Sequence, residues 1–389
     1  MTSSTRMRLV RAVTAGAAVA TVALSLAACS STDEGDDNGS THGAAASTPA
    51  SSSALAALQK PLDAYPVPTE PVTGATDLAG GTLYYIPITS QSPEFAVDQA
   101  GVKAAADALG MKVQVCDGKG TPTEVSTCID NATNAKASGI ILDAVPYDMA
   151  ANSIGAAQKA GIPVVIGNQV ADDRHPTTAT FTYTAVSGSA QQEALARWII
   201  ADSDGKANVL INETTDGHSQ IQYVEDALAV FKDECPGCTV ATNEISSANF
   251  SQVPSSTSSA LLKNPDTDYL MVEFSQFLQA SQAGVQNAGA TGKLTVVAGS
   301  ATLNDIKSVA SGSIGAATAQ ASAFAGWMYV DATLRLIAGQ EVPEYTIPIR
   351  LFTKDTMSDV QLADAAQASG EWFGPTSFTD QFKKLWGLA

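Results

Sequence analysis

The sequence predicts an α/β protein built of two doubly wound parallel-sheet lobes in tandem. Three observations carry this expectation. The extended stretches, such as TLYYIPIT from Thr82, IILDAV from Ile140 and YLMVEF from Tyr269, are near-continuous apolar runs. Parallel strands covered by helices on both faces require such runs. The runs alternate with stretches of helical length, and the alternation comes in two βα series of similar length.

In the first series, SPEFAVDQAGVKAAADALG reads as a helix. Ser92 can cap it, Pro93 suits the first turn, Val97, Gly101, Ala104 and Ala108 share a face, and Gly110 ends it. KVQVC is the next strand. TPTEVSTCIDNATNAKASG is a second helix, with Thr121 and Glu124 at capping-box spacing around Pro122. IILDAV is a third strand, residues 147–160 a third helix, and IPVVIG a fourth strand.

The second series repeats this grammar. SAQQEALARWIIAD is helical, NVLIN extended and QIQYVEDALAVFKDE helical. TVATNEI, YLMVEF, LTVVAG and IGAATAQ then read as strands, separated by helices near 253–263, 276–288 and 302–311. In sheets of this kind a ligand sits beyond the carboxyl ends of the strands, so two facing lobes would enclose a cleft.

The first residues have a different character. Arg6, Arg8 and Arg11 form a basic head, Ala12 to Leu26 an apolar stretch, and small residues lead to Cys29. This is the layout of a secretory signal peptide over residues 1–28. The apolar part is short and alanine-rich for a permanent span. LAAC resembles the lipobox of bacterial lipoproteins, which implies that Cys29 is lipidated and becomes the new N-terminus. Residues 29–79, rich in Ser, Ala, Thr, Gly and Asp, read as a flexible acidic tether. The net charge of −18 makes the body a poor partner for nucleic acid or an anionic bilayer surface.

Four further cysteines, Cys116, Cys128, Cys235 and Cys238, suit two disulfides in an exported chain. Three pairings are possible; Cys116 with Cys128 and Cys235 with Cys238 requires the least chain to close. CPGC also has the spacing of a redox pair, but it follows a helix and precedes a strand, whereas redox CxxC motifs open a helix after a strand. A four-cysteine zinc site is disfavoured by the distance between the pairs. The chain has no nucleophile elbow, HExxH, P-loop or GxGxxG after a strand, and only three histidines. The expectation is a protein that is no enzyme and holds no cofactor or metal.

SPEFAVDQAGVKAAADALG, DAVPYDMAANSIGAAQKAGIPVVIGNQ, GVQNAGATGKLTVVAGS and AATAQASAFAGWMYVDATLRLIAGQEV resemble the ribose-type (type I) solute-binding proteins of ABC importers, from about residue 82 to about residue 355. Sugar-responsive repressors share that fold, but they carry a DNA-binding unit where this chain has its signal-like segment. The resemblance implies a clamshell crossed three times, near residues 187, 320 and 345. The N-terminal lobe would be 80–186 plus 321–345, and the C-terminal lobe 187–320 plus 346–389. YTIPIRLFTKDTMSD would return as a strand to the second lobe. Trp372, Phe378, Phe382 and Trp386 of the tail would pack on a lobe surface.

Carried over residue by residue, the resemblance implies ligand contacts from Gln91 and Phe95, Tyr147 and Asp148, and Asn168 and Gln169 in the first lobe. Ser187 and Gln191 follow at the first crossing. His218, Tyr223, Phe274, Ser275, Gln276 and Ser300 belong to the second lobe, and Gln320 to the second crossing. Three departures from the sugar-binding pattern bear on the ligand. Asn168-Gln169 stands where an Asp-Arg pair is usual, no arginine lies near Tyr223, and no aspartate stands near Ser275 or Ser300. A pocket of amides and hydroxyls favours a neutral solute, sugar-like or not, because a buried charge needs a partner. Phe95, Tyr147 and Phe274 could stack on a ring face.

The expected function is therefore extracytoplasmic capture of a small neutral molecule and its delivery to an ABC importer permease. The protein would be a monomer moored by lipid to the outer face of the cytoplasmic membrane. A sensor of the same fold, signalling to a membrane receptor, is the alternative.

Overall fold

The structure, a computed structural model, describes residues 49–388. The expected signal peptide, Cys29 and the start of the tether lie outside the described residues. The described chain begins with helix α1 (Pro49–Leu58) and a 3₁₀ turn over Ala75–Leu78.

The first sheet contains β1 (Thr82–Pro87), β2 (Lys112–Val115), β3 (Gly139–Asp143), β4 (Val164–Gly167) and β5 (Phe181–Tyr183). All pairs are parallel, in the order β2-β1-β3-β4-β5. Helices α2 (Pro93–Ala108), α3 (Pro122–Asn134) and α4 (Ala151–Lys159) connect the strands. Every residue of β3 and β4 is buried, as the apolar runs require. The short strand β5 had no signal of its own in the sequence.

After β5 the chain enters α5 (Gly188–Asp202) and a second sheet: β6 (Asn208–Thr214), α6 (His218–Glu234), β7 (Thr239–Ile245), α7 (Val253–Lys263), β8 (Tyr269–Val272), α8 (Leu278–Asn287), β9 (Thr295–Ala298), α9 (Leu303–Ser311) and β10 (Ala316–Gln320). Helix α10 (Ser322–Ile337) returns to pack on α2, β3 and β4 of the first lobe. Strand β11 (Ile349–Thr353) goes back to the second sheet and pairs antiparallel with β10, so the order is β11-β10-β9-β8-β6-β7. The expected pair of parallel-dominated sheets is thus present, with one antiparallel edge strand.

The buried face of α2 is Asp98, Gly101, Val102, Ala105 and Ala106, so the expected stripe is rotated and Ala104 is exposed. The rotation follows from a close crossing with α10. A Cβ on Gly326 would lie 2.5 Å from the Asp98 carbonyl oxygen, so only glycine lets the two backbones meet. At α3 the Thr121 hydroxyl accepts from the Glu124 N–H, but the Glu124 carboxylate pairs with Lys119 instead of closing the capping box. The described chain contains two disulfides, Cys116–Cys128 and Cys235–Cys238.

Two expectations fail at the chain ends. The tether expected through residue 79 is already structured from Pro49: Leu55, Tyr65, Val72 and Ala75 are buried. The tail contains α11 (Asp364–Ser369) and α12 (Phe378–Leu385), and α12 packs on α10 of the first lobe, outside the second lobe expected to hold 346–389. The reason is mutual. Trp372, Phe373, Phe378, Phe382 and Trp386 of the tail are buried in one cluster with Tyr65 and Val72 of the opening segment, so each segment covers apolar surface that the other leaves open. Tyr65 stacks on Phe324 at 5.0 Å and lies 4.6 Å from Phe378. Backbone bonds join Leu62 to Phe373 and Val72 to Leu385.

Candidate functional site

In both sheets the strand order reverses beside the lobe's first strand, between β1 and β3 and between β6 and β8. Loops leaving neighbouring strands diverge at such points and open a crevice at the carboxyl ends. Each reversal carries a buried carboxylate. Asp143 ends β3, in register with Pro87 and Gly167. Its oxygens accept from the Tyr85 hydroxyl at 2.5 Å and the Asn168 amide at 2.7 Å. Glu273 follows β8 directly, is fully buried, and accepts the Thr214 N–H at 2.6 Å, while its other oxygen has no partner.

The lobes meet through side chains from these loops. Gln320, where β10 leads into α10, donates to Glu94 Oε1 at 2.5 Å and to Asn168 Oδ1 at 3.1 Å, and accepts from the Ser187 hydroxyl. Ser219 on α6 donates to Gln169 Oε1 at 2.9 Å and accepts the Val170 N–H at 3.0 Å. Gln191 accepts the Ser300 N–H at 3.0 Å, and Tyr223, buried, reaches the Asn168 carbonyl at 3.5 Å. Ala144, Asn168 and Ser300, each just past a strand end, have positive φ values of 57°, 53° and 50°. Non-glycine residues held there carry backbone strain, which the surrounding bonds must hold in place.

The electrostatics are acidic. Burial, with Asp143 nearby, pushes the Glu94 carboxyl up to about 8, although Ser300 and Gln320 favour its charged form. Burial likewise moves Asp143 up to about 6 against the pull of its bonds to Tyr85 and Asn168. Asp98 is held well above the usual carboxylate range by burial, then by Asp143 and Glu94. Glu273 is also raised, first by burial. At the rim, Tyr147 stacks on His175 at 3.9 Å, and Asp148 pairs with both His175 and Arg174. Arg174 also binds Asp172, so a guanidinium already serves this cluster of two carboxylates and an imidazole.

The family model of the periplasmic binding protein domain matches residues 83–341. The chain belongs to this periplasmic binding protein family. No curated protein is similar enough in sequence to match. Solved structures give the fold. A solute-binding protein from Actinobacillus succinogenes with bound D-allose is 21% identical, with a TM-score of 0.63 over 72% of this chain and 100% of that one. A 5-methylthioribose transporter solute-binding protein from Thermotoga lettingae is 18% identical, with a TM-score of 0.65 over 81% and 99%. A Mycobacterium smegmatis protein in complex with β-D-fucofuranose is 17% identical, with a TM-score of 0.64 over 75% and 98%. The first two are solute-binding proteins, not enzymes, and the family is extracytoplasmic.

In this binding protein the network described above brings together Asn168, Gln169, Ser187, Gln191, Tyr223, Ser300 and Gln320. Phe274 stands edge-on to Tyr223, and Ser275 bonds the Ser300 carbonyl. Phe95 is partly buried, and its carbonyl accepts from Tyr85. Tyr147 and Asp148 lie at the rim. Gln91, His218 and Gln276 are exposed and outside the network. The neighbour of His218, Ser219, is buried and bonds Gln169 of the other lobe.

One premise is overturned. The charges usual in the family were expected to be replaced by neutral amides and hydroxyls, yet the carboxyls Glu94, Asp98, Asp143 and Glu273 stand beside these positions. The expectation compared only loop positions with the family pattern, while these carboxylates stand on α2, on the last residue of β3 and beside β8. A signal existed: Glu94 and Asp98 are one helical turn apart, and Asp98 interrupts an otherwise apolar face.

Proposed function

We propose that this protein is the solute-capturing component of an ABC importer, taking a small sugar or sugar-like molecule between its lobes and delivering it to a membrane permease. The observation that carries the reading is the pairing of two strand-order reversals across one polar seam, where Asn168 and Gln169 of one lobe meet Ser219 and Tyr223 of the other. Ligand contacting both sides would favour the closed arrangement by its extra bonds. The ligands bound in the similar solved structures, D-allose, 5-methylthioribose and β-D-fucofuranose, support a sugar-sized guest. Export and lipid attachment at Cys29 complete the proposal, keeping a monomer at the outer face of the cytoplasmic membrane.

Titration calorimetry against sugars and polyols tests capture, with X-ray scattering on the same samples. Saturable binding with a smaller radius of gyration is expected; no heat and no compaction across the panel would sink the reading. Mass spectrometry of the membrane fraction should find acyl chains on Cys29, and Cys29→Ser should release the protein into solution. A Cys29→Ser protein still held at the membrane would remove the anchor from the proposal.

A further inference from the structure

Three carboxyls of the first lobe stand close together: Asp143 raises the charging cost of Glu94 and Asp98, and Glu94 raises that of Asp98. Asp98 and Asp143 are fully buried. Among the described residues, no lysine or arginine forms an ion pair with any of them. Neither oxygen of Asp98 has a well-formed hydrogen bond, and the Ser322 hydroxyl is the one group that eases its charge. A second, independent sign is Tyr329. Its hydroxyl is fully buried, unpartnered, and within electrostatic reach of all three carboxyls. Ser322 also lines, with Glu94, Gln320 and Thr302, a small enclosed cavity of about 10 Å³.

Unpartnered buried acceptors are costly, and three carboxylates sharing one wall cannot all ionise without a cation. A neutral sugar hydroxyl can donate to one of them but brings no charge. An ammonium group brings both: three donors and a positive charge.

We propose that the cleft takes a polyhydroxylated ligand bearing a primary amine, its ammonium seated against Glu94, which lines the cavity, with the buried Asp98 and Asp143 in the layer behind it. This rests on the reading of the chain as a capturer of sugar-like solutes and adds the charge of the guest. The hydroxyls of such a ligand meet the amides and hydroxyls of the seam, while the amine meets the carboxyl wall.

The test is titration calorimetry on the full chain with matched pairs: glucosamine and glucose, galactosamine and galactose, 1-amino-1-deoxysorbitol and sorbitol. In at least one pair the amine is expected to bind about tenfold tighter or more, a difference of roughly 1.4 kcal/mol. Glu94→Gln and, separately, Asp143→Asn should shrink that ratio toward one, with thermal melting showing that each variant folds. Neutral partners binding as tightly as the amines in every pair would overturn the inference and leave sugar capture standing. So would an amine preference that survives both substitutions. If neither member of any pair binds, the capture reading itself falls, and this inference with it.

Discussion

The indole N–H of Trp386 donates to Oδ1 of Asp331 at 2.7 Å, while the ring stacks on Trp327 with centroids 5.4 Å apart. The other oxygen of Asp331 accepts from Arg335 and from the Tyr345 hydroxyl, and Arg335 also holds the Glu70 carbonyl. The two ends of the described chain are thereby fixed to the same helix, α10. Trp386→Phe keeps the ring but loses the bond, and should cost about 1–2 kcal/mol. Trp386→Ala also loses a buried aromatic, and should cost about 3–5 kcal/mol in urea denaturation. An unchanged midpoint for the alanine variant would mean the tail does not brace the lobe.

Gly326 gives a backbone test of the α2–α10 crossing. A methyl group there would meet the Asp98 carbonyl oxygen and the Val102 nitrogen, both at 2.5 Å. Backbone atoms cannot step aside as a side chain could. Gly326→Ala should therefore destabilise by about 1–3 kcal/mol despite alanine's better helix propensity. A stabilised variant would show that the helices are free to separate.

Ser219→Ala removes two bonds between the lobes at once, those with Gln169 and Val170. Gln169 is buried, so its oxygen would be left without that partner. The expected loss is about tenfold in affinity for whichever solute binds, roughly 1.4 kcal/mol, with a lowered unliganded melting temperature because buried Gln169 loses its partner. Equal affinities for variant and parent would separate this contact from closure.

The buried carboxyls set a pH dependence. Glu94, raised to about 8, and Asp143, raised to about 6, hold protons that the unfolded chain releases near the ordinary carboxylate range. The folded state then binds more protons than the unfolded one, so stability falls as pH rises. The loss begins near the ordinary carboxylate range and continues up to about 8. Asp98, Tyr85 and Tyr329 face the same groups, and none supplies a positive charge. Melting of the ligand-free protein should drop steadily from pH 5 to pH 8, with Glu94→Gln flattening the upper part of that slope. A melting temperature that rises over this interval would contradict the burial of these groups as acids.

The architecture was legible because parallel strands buried on both faces leave a strong record. IILDAV and IPVVIG could hardly be anything else, and the β10–β11 return followed from the likeness to the family. Strand β5 was illegible: three residues, Phe181–Tyr183, carry no period. The site was half legible. Amides and hydroxyls on loops after strands, such as Asn168 and Gln320, could be carried over by position. The carboxyls were missed, because Glu94 and Asp98 on a helix read as solvated surface until packing shows which face is turned inward, while Asp143 and Glu273 stand at strand ends outside the loop positions that were compared. Asp98 is the instructive case, since a rotation of α2 dictated by the Gly326 crossing decides where it points. The packed termini were misread for a related reason: Tyr65 and Val72 look isolated in sequence, and their partners lie some three hundred residues away.

That long-range pairing has a consequence for biogenesis. Leu62 shares a backbone bond with Phe373, and the Arg350 side chain holds the carbonyls of both Gln59 and Trp372. Part of the opening segment's surface therefore stays uncovered until the closing one has been made. Contacts this distant along the chain form late. A polypeptide exported as an unfolded string would gain from such an arrangement, because its last contacts wait for the last turn of helix to emerge.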